Sequence, residues 1–309
     1  MPSRYPDDGG FDEFDAVHVG NVSRDLDPAD PRGWRLGGGV AYAALTSARL
    51  GLRSVAIIGV DPLTGAAAEL DLLRSAGVTL ELVPIGQGPV FDNLETVGGR
   101  VQTCIEPGDP VPVIEVRPAW SRTPSWLVVP VAAETLPEWA TAVPGRAHLT
   151  LGWQGILRVL AAGRRTGRKP PERTALTQRA DLVGVSRQDL GPSSVEDALA
   201  VLRPGARLVV TDGQAGGLIA TAGEVDRGAP VQYRAIRARQ VDPTGAGDVF
   251  LAALAALPLI EGRTLARDAA VNADDAHWAA AAAALAVEGV GLAAVPDRAA
   301  VEARVSRGA

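Results

Sequence analysis

Short, almost continuously apolar stretches recur along the chain, separated by segments with helical spacing. AVHVG (16–20) is followed by a helical pattern from about Val40 to Leu50 and then by SVAIIGV (54–60). The alternation resumes with AHLTL (147–151), ADLVGV (180–185), a helix beginning near PSSVEDALAVL, and RLVVTDG (207–213). Strands apolar on both faces suit a parallel sheet covered on both sides, and strand-helix alternation is the mark of an α/β domain. Between the two runs, VFDNLETVGGRVQTCIEPGDPVPVIEV (90–116) alternates β-branched with polar residues, and VGGR sits where a hairpin would turn. It reads as a small antiparallel insertion, of a kind that serves as a lid or an oligomer contact. RRTGRKPPER (164–173) reads as a solvated loop. With no internal repeat and no interdomain linker, residues 1–309 are expected to form a single domain.

Composition narrows the classes. The formal charge is -6, and arginines are spread along the chain rather than clustered. A general attraction to a nucleic-acid backbone is therefore not expected, while specific binding of a small anion stays open. The acidic, polar start MPSRYPDDGGFDEFD lacks the features of a signal peptide, and the longest apolar runs are too short to span a bilayer. The expectation is a cytoplasmic protein without membrane contact. The single cysteine, Cys104, is expected to be a buried spectator thiol, and His18, His148 and His277 lack ligand spacing. No Gly-x-Ser-x-Gly elbow is present, which leaves a serine-hydrolase reading without support.

The stretch VDPTGAGDVF (241–250) carries the most chemistry. Gly245, Ala246 and Gly247 join an extended segment to the apolar run DVFLAALAAL. The first turn of such a helix leaves amides without intrahelical partners, and together with the helix dipole these form an anion site. Asp248 then sits in or beside that turn, where it could accept a hydroxyl proton as the hydroxyl attacks a phosphoryl group; the plainer reading is a carboxylate that merely caps the helix. A dinucleotide fingerprint fails, because Phe250 stands where its third glycine belongs. A Walker A loop fails too, since the only lysine is Lys169.

DPTGAGDVFLAALA resembles the C-terminal signature of the ribokinase-like, or PfkB, carbohydrate kinases. RLGGGVAYAALTSARLGLRSVAIIGVDPLTG resembles the glycine-rich substrate segment of that family with the helix and strand after it. The resemblance implies a three-layer ribokinase-like domain with a small β lid, formed near residues 21–36 and 88–118. It makes Asp248 the catalytic base and the amides of Gly245, Ala246 and Gly247 the anion hole. It implies substrate contacts from Asp25, Gly38 and Gly39, and from Asn93, Arg100 and Gln102 in the lid. For the nucleotide it points to Thr211, Gly213, Gly216 and Ser186, with the small-residue helix AAAAAALAV bordering the adenine. ATP and Mg2+ are the implied cofactors, with a monovalent cation left open, and a homodimer through the lid is the implied assembly.

The sequence departs from the family pattern in the middle. Where the family has Asn-x-x-Glu near magnesium, this chain has Ser186 and Asp189, so Asp189 would hold the metal through a water. Tyr42 and Ala280 stand where the family often has asparagines, and the first change argues against ribose. The Phe-x-Asn lid and LGWQGILR (151–158) look more like the sugar or inositol kinases than the nucleoside kinases. The reaction implied is transfer of the ATP γ-phosphoryl group to a hydroxyl of a small sugar or cyclic polyol. The alternatives are a nucleoside kinase of the same family, or a kinase-fold protein that binds nucleotide or polyol and turns over poorly.

Overall fold

The computed structural model describes residues 13–96, 99–223, 230–267 and 269–308. Its main sheet has nine strands. From one edge to the other they are Val231–Tyr233, Gly217–Thr221, Arg207–Thr211, Leu182–Ser186, His148–Gly152, Ser125–Val128, Ala16–Asn21, Ser54–Val60 and Thr79–Pro84. All neighbours run parallel except at the first edge, where Gly217–Thr221 is antiparallel to both of its partners.

Strand periodicity explains why both faces are covered. Ala56 and Ile58 point into one apolar cluster, while Val55 and Ile57 of the same strand point into the other. The first face is closed by the helices Gly39–Arg49, Ala246–Ile260 and Ala273–Ala286, which pack on one another. The second is filled by Trp120, Trp126, Trp139 and Trp153, all essentially buried. The result is a three-layer α/β domain. Among the described residues no helix is long and apolar enough to cross a membrane.

A second sheet of five strands stands over the main body, in the order Arg164–Arg165, Gly99–Glu106, Val90–Thr96, Ser23–Leu26 and Trp34–Gly37. The expected hairpin is there: Val90–Thr96 pairs antiparallel with Gly99–Glu106, and Asn93 faces Gln102 in the register. Two expectations are corrected. The lid does not run on to residue 118, because after Glu106 the chain turns back to the body, where Val111 is fully buried and bridges to Thr135. The segment 164–173 is not simply a solvated loop: Arg164–Arg165 supplies the outer lid strand, and Gly167–Arg168 pairs with Arg158–Val159. Strands of two polar residues carry no hydrophobic period, so nothing in their pattern announces them.

Candidate active site

Ser23–Leu26 leaves the sheet just beyond Asn21, and Gly152, Ser186 and Thr211 end their own parallel strands. In open α/β sheets the crevice outside the carboxyl ends of the strands is where ligands bind. Here that crevice, roofed by the lid, is a cavity of about 660 Å3.

The floor of the cavity is the start of the helix Ala246–Ile260. Gly245 precedes it with φ of 79°, a left-handed conformation, and a side chain there would run into the Tyr42 ring. No side chain among the described residues caps this helix. The Ala246 amide turns back to Pro243 O at 3.3 Å, and the Gly247 amide has no partner among the described residues. A Cβ at Gly247 would meet nothing within 4 Å, so this backbone lies open to the cavity. An open helix start of this kind suits an anion.

Asp248 lies on the first turn, with its carboxylate against the backbone of the neighbouring helix start. A Cβ on Gly39 would come within 2.7 Å of Asp248 Oδ1. Burial pushes Asp248 up to about 7; Arg158 opposes the shift, while Asp189, Asp25 and Glu134 add to it. Glu134 is itself buried. It accepts hydrogen bonds from the amides of Asn21, Val131 and Ala132, and burial raises its carboxyl above the usual range. A carboxyl group poised near neutrality at the bottom of a cavity is suited to take and return a proton.

The other expected residues sort by position. Asp25, Gly38 and Gly39 line the cavity on the lid side, with Asp25 accepting from the Ser23 hydroxyl at 3.1 Å. Gly38 has φ of 102°, and a Cβ there would collide with Asn21 O at 2.5 Å, so the tight entry into the helix Gly39–Arg49 requires glycine. Asn93 and Gln102 also line it, joined by a hydrogen bond of 2.8 Å. Arg100 stands on the strand Gly99–Glu106, but its side chain lies outside the described residues. On the opposite side, Ser186, Thr211 and Gly213 line the same cavity.

Thr211, Gly213 and Gly216 also border a second cavity of about 520 Å3, with Ala246 and Gly247 shared between the two. Its walls include Tyr233, Ile236, Phe250, Ala280, Ala283 and Val287, and Tyr233 and Phe250 stack at 5.4 Å. This cavity is predominantly apolar. Alanines on the helix Ala273–Ala286 keep it open, as larger side chains would fill it.

Asp189 does not stand free. Its carboxylate accepts from Ser186 Oγ at 2.6 Å and Gln154 Nε2 at 3.2 Å, and pairs with Arg168 at 2.9 Å. Ser186 meanwhile caps the short helix Arg187–Leu190 through the Asp189 amide. Among the described residues no group of three or more His, Cys, Asp or Glu could hold a metal ion. Magnesium usually keeps several waters and binds one or two carboxylates plus substrate phosphates, so a magnesium ion carried by ATP fits here only through water on Asp189, shared with Arg168. Sequence reasoning missed Arg158, Arg168 and Gln154, all on the cavity wall. They fall in or beside an apolar stretch and a polar loop, and no spacing signal marks them.

Comparison with known proteins shows what this arrangement is similar to. Residues 173–298 match the model of the pfkB family carbohydrate kinase. Over this segment the chain is similar to that family. The fold around it is ribokinase-like, as several solved structures show. Ribokinase from Thermotoga maritima is 20% identical, with 95% of this chain and 99% of that one covered and a TM-score of 0.65. Arabidopsis thaliana ribokinase, complexed with ribose and ATP, is 19% identical, with coverage of 95% and 99% and a TM-score of 0.66. A pyrophosphate-dependent kinase in the ribokinase family, complexed with a pyrophosphate analog and myo-inositol, is 18% identical, with coverage of 93% and 99% and a TM-score of 0.70. No curated protein sequence matches the chain. The matched segment holds Ser186, Thr211, the 245–247 amides and Asp248, whereas Asp25 and the lid precede it.

Proposed function

We infer that the protein is an ATP-dependent kinase that phosphorylates a hydroxyl of a small sugar or cyclic polyol. The observation that carries this reading is the position of Asp248, near-neutral in acidity, on the open first turn of a helix between two cavities. In the larger cavity Asp25, the Gly38 and Gly39 backbone, Asn93 and Gln102 orient the acceptor. Asp248 takes the proton of the attacking hydroxyl. The amides of Gly245, Ala246 and Gly247 hold the phosphoryl oxygens as charge shifts among them. Asp189, through a water, would hold a magnesium ion carried by the nucleotide, which would supply positive charge against the phosphates. The lid keeps water from the phosphoryl group.

The donor needs a separate argument, because three of the similar structures concern a pyrophosphate-dependent kinase. Pyrophosphate has no apolar part. The second cavity is apolar, adjoins the anion site and is walled by an aromatic pair and small side chains, which suits a flat base. This favours a nucleotide donor.

The two donors are separated by assaying ATP and pyrophosphate side by side in the wild type and in Ala283→Leu, which extends a side chain into the second cavity. A nucleotide donor predicts turnover with ATP and a KM for ATP raised at least about tenfold by the leucine, the scale of a lost apolar contact. Turnover with pyrophosphate that the leucine leaves unchanged would refute the assignment.

A further inference from the structure

One short segment contributes three arginines, Arg158, Arg165 and Arg168, to the wall of the larger cavity. Arg168 is engaged by Asp189. Arg158 is not engaged in this way. It is only 7% exposed, and its guanidinium lies over the Phe91 ring at 5.4 Å from the centroid. Nη1 donates to Val131 O at 2.6 Å, while the buried Nε has no partner among the described residues. A guanidinium carries five N–H donors, and burying it with donors unused is costly unless something arrives to accept from them.

Its location indicates which ligand that would be. Phe91 is the register partner of Asp25 in the lid, so Arg158 stands at the acceptor end. The wall of the apolar cavity does not include it. Arg165 lies on the outer lid strand, exposed at the rim of the same cavity and without an ion pair among the described residues. Gln102 Oε1 and Thr166 Oγ1, also on this wall, are buried without partners, as acceptors awaiting hydroxyl donors would be. Arg158 acts at a distance on Asp189, Asp248 and Asp25, but no ion pair joins it to a carboxylate among the described residues, so its N–H donors are not taken up by them. A neutral sugar would leave its remaining donors facing hydroxyls alone. A carboxylate or phosphate would take two of them in the forked geometry that guanidinium groups favour.

We propose that the acceptor is a polyol bearing an anionic group, carboxylate or phosphate, which seats on Arg158 with Arg165 at the rim. Phosphorylation of its hydroxyl rests on the kinase reading; the anionic seat does not.

The test uses matched probes: an aldose against its aldonate, and a free sugar against its monophosphate. Each is followed by ADP release with Mg-ATP and, without ATP, by the shift in melting temperature. The proposal predicts that an anionic member is preferred in kcat/KM and raises the melting temperature, and which arm responds tells carboxylate from phosphate. In Arg158→Met the KM for that anionic acceptor should rise by roughly tenfold to a hundredfold, the size of one or two charge-assisted hydrogen bonds. The KM for ATP should move little, and Arg158→Lys should recover part of the loss. Should Arg158→Met fail to fold, Arg165→Gln on the exposed strand should still weaken the anionic acceptor alone. A neutral member that binds and reacts as well as its anionic partner overturns the proposal, as does an anionic preference that survives both substitutions. Anion-dependent melting shifts without any ADP release would sink the kinase reading and leave the anionic seat standing.

Discussion

Asp248 and Gly247 sit next to each other and make opposite kinds of demand on the chain. Gly247 is open on its missing side-chain face, so Gly247→Ala should leave the melting temperature within about 1 °C, while kcat/KM falls by at least roughly tenfold because the methyl occupies the phosphoryl path. Asp248 must be ionised to accept a proton. With its carboxyl near 7, kcat/KM for a non-ionising acceptor should rise with pH through about 7 and then level off. The sign for stability is the reverse. The folded state holds the Asp248 proton up to about 7, whereas the unfolded chain releases it near 4, so this residue lowers stability as pH rises across that window. Asp248→Asn should therefore gain roughly 1–3 kcal/mol at pH 8, seen as a melting point a few degrees higher, while losing activity by orders of magnitude. At this scale the sequence was readable where glycines and a carboxylate stand in a fixed order at a helix start, as in Gly245 to Asp248. Arg158 was not readable, because an arginine inside GILRVL looks the same whether it faces solvent or is buried over Phe91.

Elements were legible in proportion to their apolar period. The strands Ala16–Asn21, Ser54–Val60 and Arg207–Thr211 and the helix Gly39–Arg49 stand within a residue or two of where the pattern put them. The lid hairpin was legible from its alternation, but its outer strand was not, since Arg164–Arg165 is two exposed polar residues held by pairing to Thr103 and Cys104. Helix ends are set by caps that the letters do show: Asn272 accepts from the Asp275 amide and Asp275 returns a bond to the Asn272 amide, opening the alanine-rich helix Ala273–Ala286. Removing that cap in Asn272→Ala should cost about 1 kcal/mol in denaturant unfolding. Because this helix also walls the second cavity, a modest rise in the KM for ATP should accompany the loss, and a large fall in kcat would place the helix at the chemistry rather than beside it.

The whole molecule is a sheet whose strand ends, helix starts and lid converge on one crevice, with two cavities sharing the 246–247 backbone. Sequence reached the layer architecture and the placement of Gly245 to Asp248 at the start of a helix, because both are written in local patterns. It did not reach the pairing of Arg168 with Asp189 or the contact of Tyr42 with Gly245, which depend on residues brought together from distant parts of the chain. The central claim is that the two cavities meet at a phosphoryl-transfer centre built on Asp248. The most direct measurement is acceptor-stimulated ADP release with Mg-ATP across neutral and anionic sugars, inositols and nucleosides, in the wild type and in Asp248→Asn with ATP binding measured in both. The account predicts that one acceptor class stimulates release and that the asparagine variant loses this by orders of magnitude while still binding ATP. Acceptor-stimulated release of equal size in the two proteins would contradict it.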